Sequence, residues 1–401
     1  MAVLGPGIIT SFVDNDAGGI TTYSVAGAHY GYSLLWTLIP ITFLLIIVQE
    51  MAARMGTVTG KGLADLIREN FGLKLTFFLM IGLIIANFAT IISEFAGIAA
   101  SAELLGMSKY YVVPLAAILV WFLILKTNYK TLEKVFLVLC IFYAAYIISG
   151  FLAKPVWSEV ISETIRPSFQ MNSAYLLVLI GLIGTTITPW MQFYLQSSVA
   201  EKGIKANEYK YARAEVIVGS IITDVISFFI IVACAATLFP NGVKVDTAAE
   251  AAQALEPFAG NFAQKLFAFG LLAASLFGTF IIPLATTYYI CEAFGWESGV
   301  NKKMGEAPQF YSILLFLILA AATIIIFPKI SLIKVMLTSQ VINGIILPFI
   351  LIAMLKIINN PKIMGSYVNN KLYNFLSWSA IIIIIILTSL MVITSIFPNL
   401  F

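Results

Sequence analysis

Apolar stretches of about 20 residues recur along the whole chain, and their length limits the folds open to it. At a rise of about 1.5 Å per residue, a helix of this length crosses the hydrocarbon core of a bilayer. Of the 401 residues, 60% are hydrophobic and only 11% are charged, whereas soluble domains carry roughly 25% charged residues. The sequence therefore predicts an all-α polytopic membrane protein with a single transmembrane domain over residues 1–401.

Eleven segments qualify as candidate spans, numbered 1 to 11 in chain order. They lie near residues 4–28, 33–54, 73–104, 110–125, 134–153, 174–199, 211–238, 264–294, 309–327, 331–357 and 373–397. With the N-terminus in the cytoplasm, 16 of the 23 Lys and Arg residues fall in inner loops and 7 in outer loops. The positive-inside rule then places the C-terminus outside the cell. The net charge of +3 is small and spread along the chain, which argues against a nucleic-acid partner.

Spans 1 and 6 each contain a break. Span 1 carries SFVDNDAGGITT at residues 11–22, where a Gly-Gly pair interrupts the helix. Span 6 carries GLIGTTITPWMQ at residues 181–192, where Pro189 leaves a carbonyl near Thr185 without its helical partner. Unwound backbone is tolerated at membrane depth only where protein or a water-filled cavity surrounds it. Paired broken helices in the two halves of a chain indicate the central site of a transporter.

Four carboxylates are expected near mid-membrane, at Asp14, Asp16, Glu94 and Asp224. No intramembrane Lys or Arg neutralises them, so they require a bound cation or protonation. Oxygen ligands without Cys or His suit hard ions such as Mg²⁺, Ca²⁺ or Mn²⁺. The structural alternative is that Glu94 and Asp224 hydrogen-bond neighbouring helices and bind no ion.

Four stretches carry a family resemblance. GPGIITSFVDNDAGGITTYSVAGAHYGYSLLW lies at residues 5–36, and QEMAARMGTVTGKGLADLIRENFG lies at residues 49–72. SEF follows at residues 93–95, and SQV and LPF lie within residues 339–349. In this order they resemble the first, second, third and tenth helices of the natural resistance-associated macrophage protein (Nramp) family of divalent metal transporters.

The resemblance implies the leucine-transporter fold, a 5+5 inverted repeat of about 11 helices in which helices 1 and 6 are broken. Residues 4–153, with spans 1 to 5, would form the first repeat. Residues 174–357, with spans 6 to 10, would form the second. Span 11, at residues 373–397, is then an additional helix.

The two metal-binding motifs of the family are altered in this chain. The DPGN motif aligns with DAGG at residues 16–19, which keeps the aspartate ligand and replaces the asparagine ligand with glycine. The helix 6 methionine-proline-histidine motif aligns with TPW at residues 188–190, which replaces the soft sulfur with a hydroxyl. An alternative alignment, with one residue inserted after Trp190, returns Met191 to the site. An all-oxygen site suits Mg²⁺, which prefers hard ligands and keeps several waters.

The proton relay of ordinary members is also altered. Their helix 3 aspartate aligns with Ile91, and their helix 6 histidines align with Trp190 and with Gln192 or Gln196. Isoleucine cannot relay a proton. The chain therefore resembles the Nramp-related magnesium transporters, a branch of the family that moves Mg²⁺ and Mn²⁺ without proton coupling.

These correspondences predict the metal site. Asp16 would be the carboxylate ligand, and Thr188 would give a hydroxyl or a water-mediated contact. Val13 and Thr185 would supply backbone carbonyls. The helix 10 glutamine ligand of the family aligns with Ile346, so Asn343 would substitute for it directly or through water. The residues expected to hold the hydration shell or extend the vestibule are Asp14, Glu94 and Asn343.

We expect a secondary transporter or facilitator that imports Mg²⁺, and Mn²⁺, by alternating access. It would act as a monomer in the bacterial plasma membrane, driven by the metal gradient and the membrane potential. Because the metal is the transported substrate, we expect no resident cofactor.

Three rival functions follow from the same residues. The nearest is a proton-coupled Mn²⁺ or Fe²⁺ carrier with an altered relay through Glu94 and Asp224. An organic-solute symporter of the same fold is the second, and two acids in the first break disfavour an anionic substrate. An intramembrane protease is the third, but the chain has no HExxH motif, and Asp14 and Asp16 lie on one break.

The selectivity argument makes a prediction for Thr188→Met. A thioether favours softer metals, so this substitution should shift the preference from Mg²⁺ toward Mn²⁺ or Cd²⁺. Competition among the three ions in an uptake assay measures the ranking. An unchanged ranking would show that the residue at 188 does not set selectivity.

Overall fold

The computed structural model describes residues 6–126, 143–300 and 302–397. Within these residues the chain forms helices and no strand. The longer helices, labelled in chain order, are α1 (Pro6–Val13), α2 (Ala17–Tyr30), α3 (Leu38–Thr59), α4 (Leu63–Leu104), α5 (Lys109–Lys126), α6 (Ala144–Leu152), α7 (Trp157–Ile165), α8 (Ser173–Thr186), α9 (Pro189–Glu201), α10 (Tyr209–Thr237), α11 (Ala263–Phe294), α12 (Pro308–Ile326), α13 (Leu332–Ile358) and α14 (Lys371–Ile396). Short helical turns connect them at Leu35–Thr37, Ala206–Glu208, Phe239–Asn241, Ala248–Ala252, Gln253–Leu255, Glu256–Ala259, Gly260–Phe262, Pro361–Met364 and Gly365–Tyr367. The all-α prediction is confirmed.

Eight helical segments of the described residues are long and apolar enough to cross a membrane. Spans 1, 4 and 5 of the prediction are not among these eight. Span 1 is divided into α1 and α2, which are 8 and 14 residues long. Span 4 is α5, whose apolar part, Lys109–Leu125, is shorter than the eight. Span 5 was predicted at 134–153 and lies partly outside the described residues, which include α6 of it.

Helix α4 begins earlier than span 3 was predicted to begin. Gly72, at φ 72° and ψ 172°, interrupts the helical backbone, a conformation that glycine adopts without steric cost. The turns before Gly72 carry charged side chains, including Arg68, which pairs with Asp65 at 3.1 Å. The sequence does not predict this short amphipathic stretch as part of a span, because the stretch lacks the long apolar run that marks one.

The broken first span lies inside the helix bundle. Helix α2 packs against α4, α8, α10 and α13, and helix α1 packs against α9 and α10. Helix α4 in turn packs along α11 and α13. The unwound residues between α1 and α2 are therefore enclosed by protein, as unpaired backbone at membrane depth requires.

Glycine allows α8 and α13 to approach closely beside the second break. A Cβ atom at Gly184 would overlap the carbonyl oxygen of Gln340 and the amide nitrogen of Gly344. A Cβ atom at Gly344 would lie 2.6 Å from the carbonyl oxygen of Ile180. Small residues at such contacts drive the packing of membrane helices, since lipid tails are as apolar as the helices themselves.

Helix α14 corresponds to the additional span predicted at 373–397. It contacts α3, α8 and α13 at the edge of the bundle. Its outward face is apolar, with Ile382 and Ile383 each 54% exposed. An apolar face of this kind suits contact with lipid.

The close approach of α8 and α13 makes a prediction for Gly184→Ala. The added methyl group meets backbone atoms that cannot rotate away, and overpacking of this kind costs about 1–3 kcal/mol. That cost outweighs the helix propensity gained by alanine over glycine, about 1 kcal/mol. Thermal unfolding in detergent should therefore occur at a lower temperature than in the wild type.

Gly305→Ala is the matched control, because nothing lies within 4 Å of a Cβ atom at that position. It should unfold at the wild-type temperature. A Gly184→Ala variant as stable as this control would show that α8 and α13 are not in close contact.

Candidate metal site

The first break consists of the residues between Val13, where α1 ends, and Ala17, where α2 begins. Gly18 and Gly19, predicted to interrupt the helix, lie in the first turn of α2, so that prediction is wrong in position. Asp16 has extended backbone at φ −70° and ψ −174°, and its Oδ1 accepts a hydrogen bond from the N–H of Gly19 at 2.7 Å. Aspartate is a preferred N-cap because its carboxylate accepts from the free amides of the first turn. The carbonyl of Asn15 accepts from the Tyr143 hydroxyl at 2.6 Å. The carbonyl of Val13 is one of those that a helix C-terminus leaves without an intrahelical partner.

The second break lies between Thr186, where α8 ends, and Pro189, where α9 begins. Proline suits the first position of a helix because its fixed φ and missing N–H cost nothing there. The carbonyl of Thr185 was predicted to lose its helical partner, and the hydroxyl of Thr188 replaces it, donating at 2.6 Å. A carbonyl oxygen has two lone pairs, so the Thr185 carbonyl retains one for a cation.

The two breaks meet at Gly19. A Cβ atom built there would lie 2.7 Å from the carbonyl oxygen of Asp14, 3.3 Å from Oγ1 of Thr185 and 3.5 Å from Oδ1 of Asp16. The missing side chain therefore leaves space between oxygen atoms of both broken helices. Oγ1 of Thr185 is buried and has no hydrogen-bond partner among the described residues. This unsatisfied oxygen faces the same space.

Helix α4 adds a second carboxylate, Glu94, which is fully buried. Its Oε2 accepts from the N–H of Ala17 at 3.4 Å, and the carboxyl groups of Glu94 and Asp16 are electrostatic neighbours. Oε1 of Glu94 has no hydrogen-bond partner in the described part of the chain. A Cβ atom at Gly278 of α11 would overlap this carboxylate, so α11 holds it against α2. Glu94 can therefore link α4 to α2 through Oε2 and still offer Oε1 to an ion.

Helix α13 contributes two amide side chains. Asn343 donates to Oγ1 of Thr90 and to Oε1 of Gln340, both at 2.9 Å, and its own Oδ1 is unpaired within the described residues. Gln340 was not among the predicted site residues, although it lies in the SQV motif. A Cβ atom at Gly18 would overlap its Nε2. The glycine at 18 is the sequence signal for this contact, because only glycine leaves room for the amide.

The predicted residues are not all equally close to Asp16. The Thr185 hydroxyl borders the space at Gly19 together with Asp16. Glu94 contacts the neighbouring Ala17, Thr188 contacts the Thr185 carbonyl, and Asn343 contacts Gln340, which lies against Gly18. Ile346, which occupies the glutamine position of the family, points toward Gly82 of α4 instead. The carboxylate that acts most strongly on Asp14 is Asp224, ahead of Asp16. Asp14 therefore lies near Asp224 of α10 as well as near Asp16.

The site is closed to solvent. Asp16 is 3% exposed, and each of the other predicted metal-site residues is less exposed than that. No group of three or more His, Cys, Asp and Glu side chains in the described ranges is placed to hold a metal. A metal bound at Asp16 therefore needs hydroxyl, carbonyl or water ligands in addition to carboxylates.

The profile of natural resistance-associated macrophage protein-like sequences matches residues 7–394. This chain belongs to that family. The divalent metal cation transporter MntH of Klebsiella pneumoniae is 26% identical to the chain over 405 residues, covering 98% of this chain and 94% of that protein. MntH of Deinococcus radiodurans is 28% identical over 400 residues, covering 96% of this chain and 88% of that protein. The predicted Nramp resemblance is confirmed, and with it a multi-pass membrane transporter rather than an enzyme.

Solved structures show the same fold. A crystal structure of the Eremococcus coleocola manganese transporter with an aromatic bis-isothiourea compound matches with a TM-score of 0.75 at 22% identity, covering 98% of this chain and 86% of that one. Mhp1, a nucleobase-cation-symport-1 family transporter, matches with a TM-score of 0.56 at 12% identity, covering 99% of this chain and 88% of that one. The predicted leucine-transporter fold is confirmed.

The geometry at the first break makes a prediction for Asp16→Asn. The asparagine oxygen still accepts from the Gly19 amide, so the cap of α2 and the fold are retained. The charge of the central ligand is lost, and binding of Mg²⁺ and Mn²⁺ at this site should disappear. Isothermal titration of the purified protein measures it, and unchanged heats would remove Asp16 from the metal site.

Proposed function

We propose that this Nramp-family protein imports Mg²⁺, and Mn²⁺, across the bacterial plasma membrane by alternating access without moving protons. The observation that carries the proposal is the set of oxygen atoms around Gly19. The Asp16 carboxylate, the Asp14 carbonyl and the Thr185 hydroxyl border this space. The Glu94 carboxylate of α4 contacts the adjacent Ala17, and the Thr188 hydroxyl contacts the Thr185 carbonyl. Their charge and hardness suit a small divalent cation.

The ligand chemistry favours a partly hydrated ion. Gly19 stands where the family has an asparagine ligand, so the side-chain ligand at that position is lost. Thr188 stands where the family has a methionine, so a hard hydroxyl oxygen replaces a soft sulfur. Mg²⁺ is typically held by one or two carboxylates and keeps several waters. Asp16 would bind it directly, with the carbonyls of Val13 and Thr185 and the hydroxyl of Thr188. Glu94 and Asn343 would hold its water, and Asp14 would extend the vestibule toward Asp224 of α10.

The relatives support a divalent metal substrate. Both MntH proteins are divalent metal cation transporters, and the Eremococcus protein is a manganese transporter. The same class of cargo is proposed for this chain. Preference for Mg²⁺ within that class is argued from its own altered ligands.

The absence of a relay side chain at the expected positions supports uncoupled transport. Ile91 is fully buried in α4, one turn from Glu94. Gln196 donates to the carbonyl of Lys61 at 3.0 Å, a contact that links α9 to the loop before α4. His29, the single histidine of the chain, accepts from the N–H of Val245 at 3.2 Å, at the end of α2 remote from Asp16.

The membrane potential is sufficient to drive import. A divalent ion entering a cell with a potential of about 100 mV, negative inside, gains about 4.6 kcal/mol, twice the value for a single charge. Because the site is enclosed, the helices around it must open to one side and then to the other. No second ion is needed to drive the cycle.

We infer the domain arrangement and topology from the same resemblance. Residues 4–153 and 174–357 would form the two inverted repeats, with 373–397 as an additional helix. The bias of Lys and Arg places the N-terminus in the cytoplasm and the C-terminus outside. A monomer contains both broken helices and is sufficient for transport.

Transport without proton coupling is tested in proteoliposomes that contain a pH-sensitive dye. Mg²⁺ or Mn²⁺ added outside should enter, and the internal pH should stay constant, because Asp16 and Glu94 exchange only the metal. Asp16→Asn proteoliposomes are the control for leakage, and a proton ionophore shows that the dye responds. Acidification that follows metal entry would instead establish the rival, a proton-coupled carrier.

A further inference from the structure

The structure separates the four intramembrane acids into two pairs. Asp16 and Glu94 lie together at the central space. Asp14 and Asp224 form the second pair: they are charged neighbours, and Asn15, next to Asp14, is hydrogen-bonded to Thr223, next to Asp224. They are 1% and 5% exposed, and no oxygen atom of either carboxylate has a hydrogen-bond partner among the described residues. Buried carboxylates without any partner are costly unless a cation or proton compensates them.

Hydrogen bonds on both sides hold this second pair in place. Asn15, next to Asp14, donates to the carbonyl of Thr223 at 3.4 Å and accepts from the Ser227 hydroxyl at 3.2 Å. The Thr223 hydroxyl donates to the carbonyl of Ser11 in α1. Asp14 and Asp224 are neighbours in sequence of these bonded residues. The contact of α10 with the first break therefore sets the distance between Asp14 and Asp224.

Further oxygen atoms lie beside the pair. Ser220 is four residues before Asp224 and shares its face of α10. Its hydroxyl is fully buried and has no partner in the described ranges. Thr42 of α3 is a polar neighbour of Asp224. Its hydroxyl donates a hydrogen bond to the carbonyl of Leu38 at 2.7 Å. The Thr42 oxygen is thus available as an acceptor or a ligand and not as a donor to Asp224.

The charges do not balance with a single divalent ion. The charged groups acting on Asp14 are Asp224 and Asp16, both acidic, and no basic group is among them. One divalent ion at Asp16 and Glu94 neutralises that pair and leaves two negative charges between α1 and α10. A second divalent ion at Asp14 and Asp224 neutralises the remainder.

We propose that Asp14, Asp224 and Ser220 form a second binding site for a hard divalent cation, separate from the site at Asp16. The carboxylates supply the charge, the Ser220 hydroxyl supplies a neutral oxygen, and water completes the shell, as Mg²⁺ and Mn²⁺ allow. The ion links α10 to the junction of α1 and α2. This site goes beyond the proposed function, since transport through the central site does not require it.

The test is the number of Mn²⁺ ions bound to each purified chain at saturation, measured by equilibrium dialysis. The wild type should bind two. Asp224→Asn should bind one, and Asp14→Asn should also bind one, because each removes a charge from the second site. The exposed Asp246→Asn is the matched control and should bind two. Monodisperse elution and an unchanged helical spectrum establish that each variant is folded.

Asp16→Asn separates this proposal from the proposed function. It should lose the central ion and keep the second, again binding one. A wild-type chain that binds a single Mn²⁺, lost in Asp16→Asn and kept in Asp224→Asn, would overturn the second site and leave the central one intact. Two ions in Asp16→Asn would instead contradict the central site alone.

Discussion

Unwound backbone inside a bilayer has to be satisfied by the protein itself, and the rest of this structure follows from that constraint. The Asp16 carboxylate caps α2, and the Thr188 hydroxyl replaces the hydrogen bond that Pro189 removes from Thr185. These groups hold the chain where it leaves the helix. The oxygen atoms that remain around Gly19 are therefore concentrated at one point, and a small hard cation suits them.

Charge is the second constraint. Acidic side chains approach the broken span from α4 and α10, and the electrostatic neighbours of Asp14 are acids alone. In a low-dielectric interior such groups need a compensating cation or proton. Helix packing sets where the charges lie, because Gly278 admits Glu94 and the contact of Asn15 with α10 positions Asp14 near Asp224. The same packing that closes the bundle thus brings these carboxylates together.

Much of this arrangement was predictable from sequence. Long apolar runs predicted the spans, and Pro189 predicted the second break through its effect on backbone hydrogen bonds. The first break was predicted at Gly18 and Gly19 and lies instead at residues 14–16, because the Asp16 carboxylate caps α2 and the two glycines continue that helix. Gln340 escaped prediction because its contact with Gly18 joins residues from distant parts of the chain. The direction of the Asp14 side chain escaped for a similar reason: an unwound segment has no periodicity from which a face can be assigned.

We propose that oxygen atoms from both broken spans hold one hard divalent cation beside Asp16. Anomalous X-ray scattering from crystals grown with Mn²⁺ tests it most directly, because the signal locates the metal without reference to the protein model. We expect a peak between the first and second breaks, within coordination distance of the Asp16 carboxylate. Peaks confined to other places, with no signal between the breaks, would contradict it.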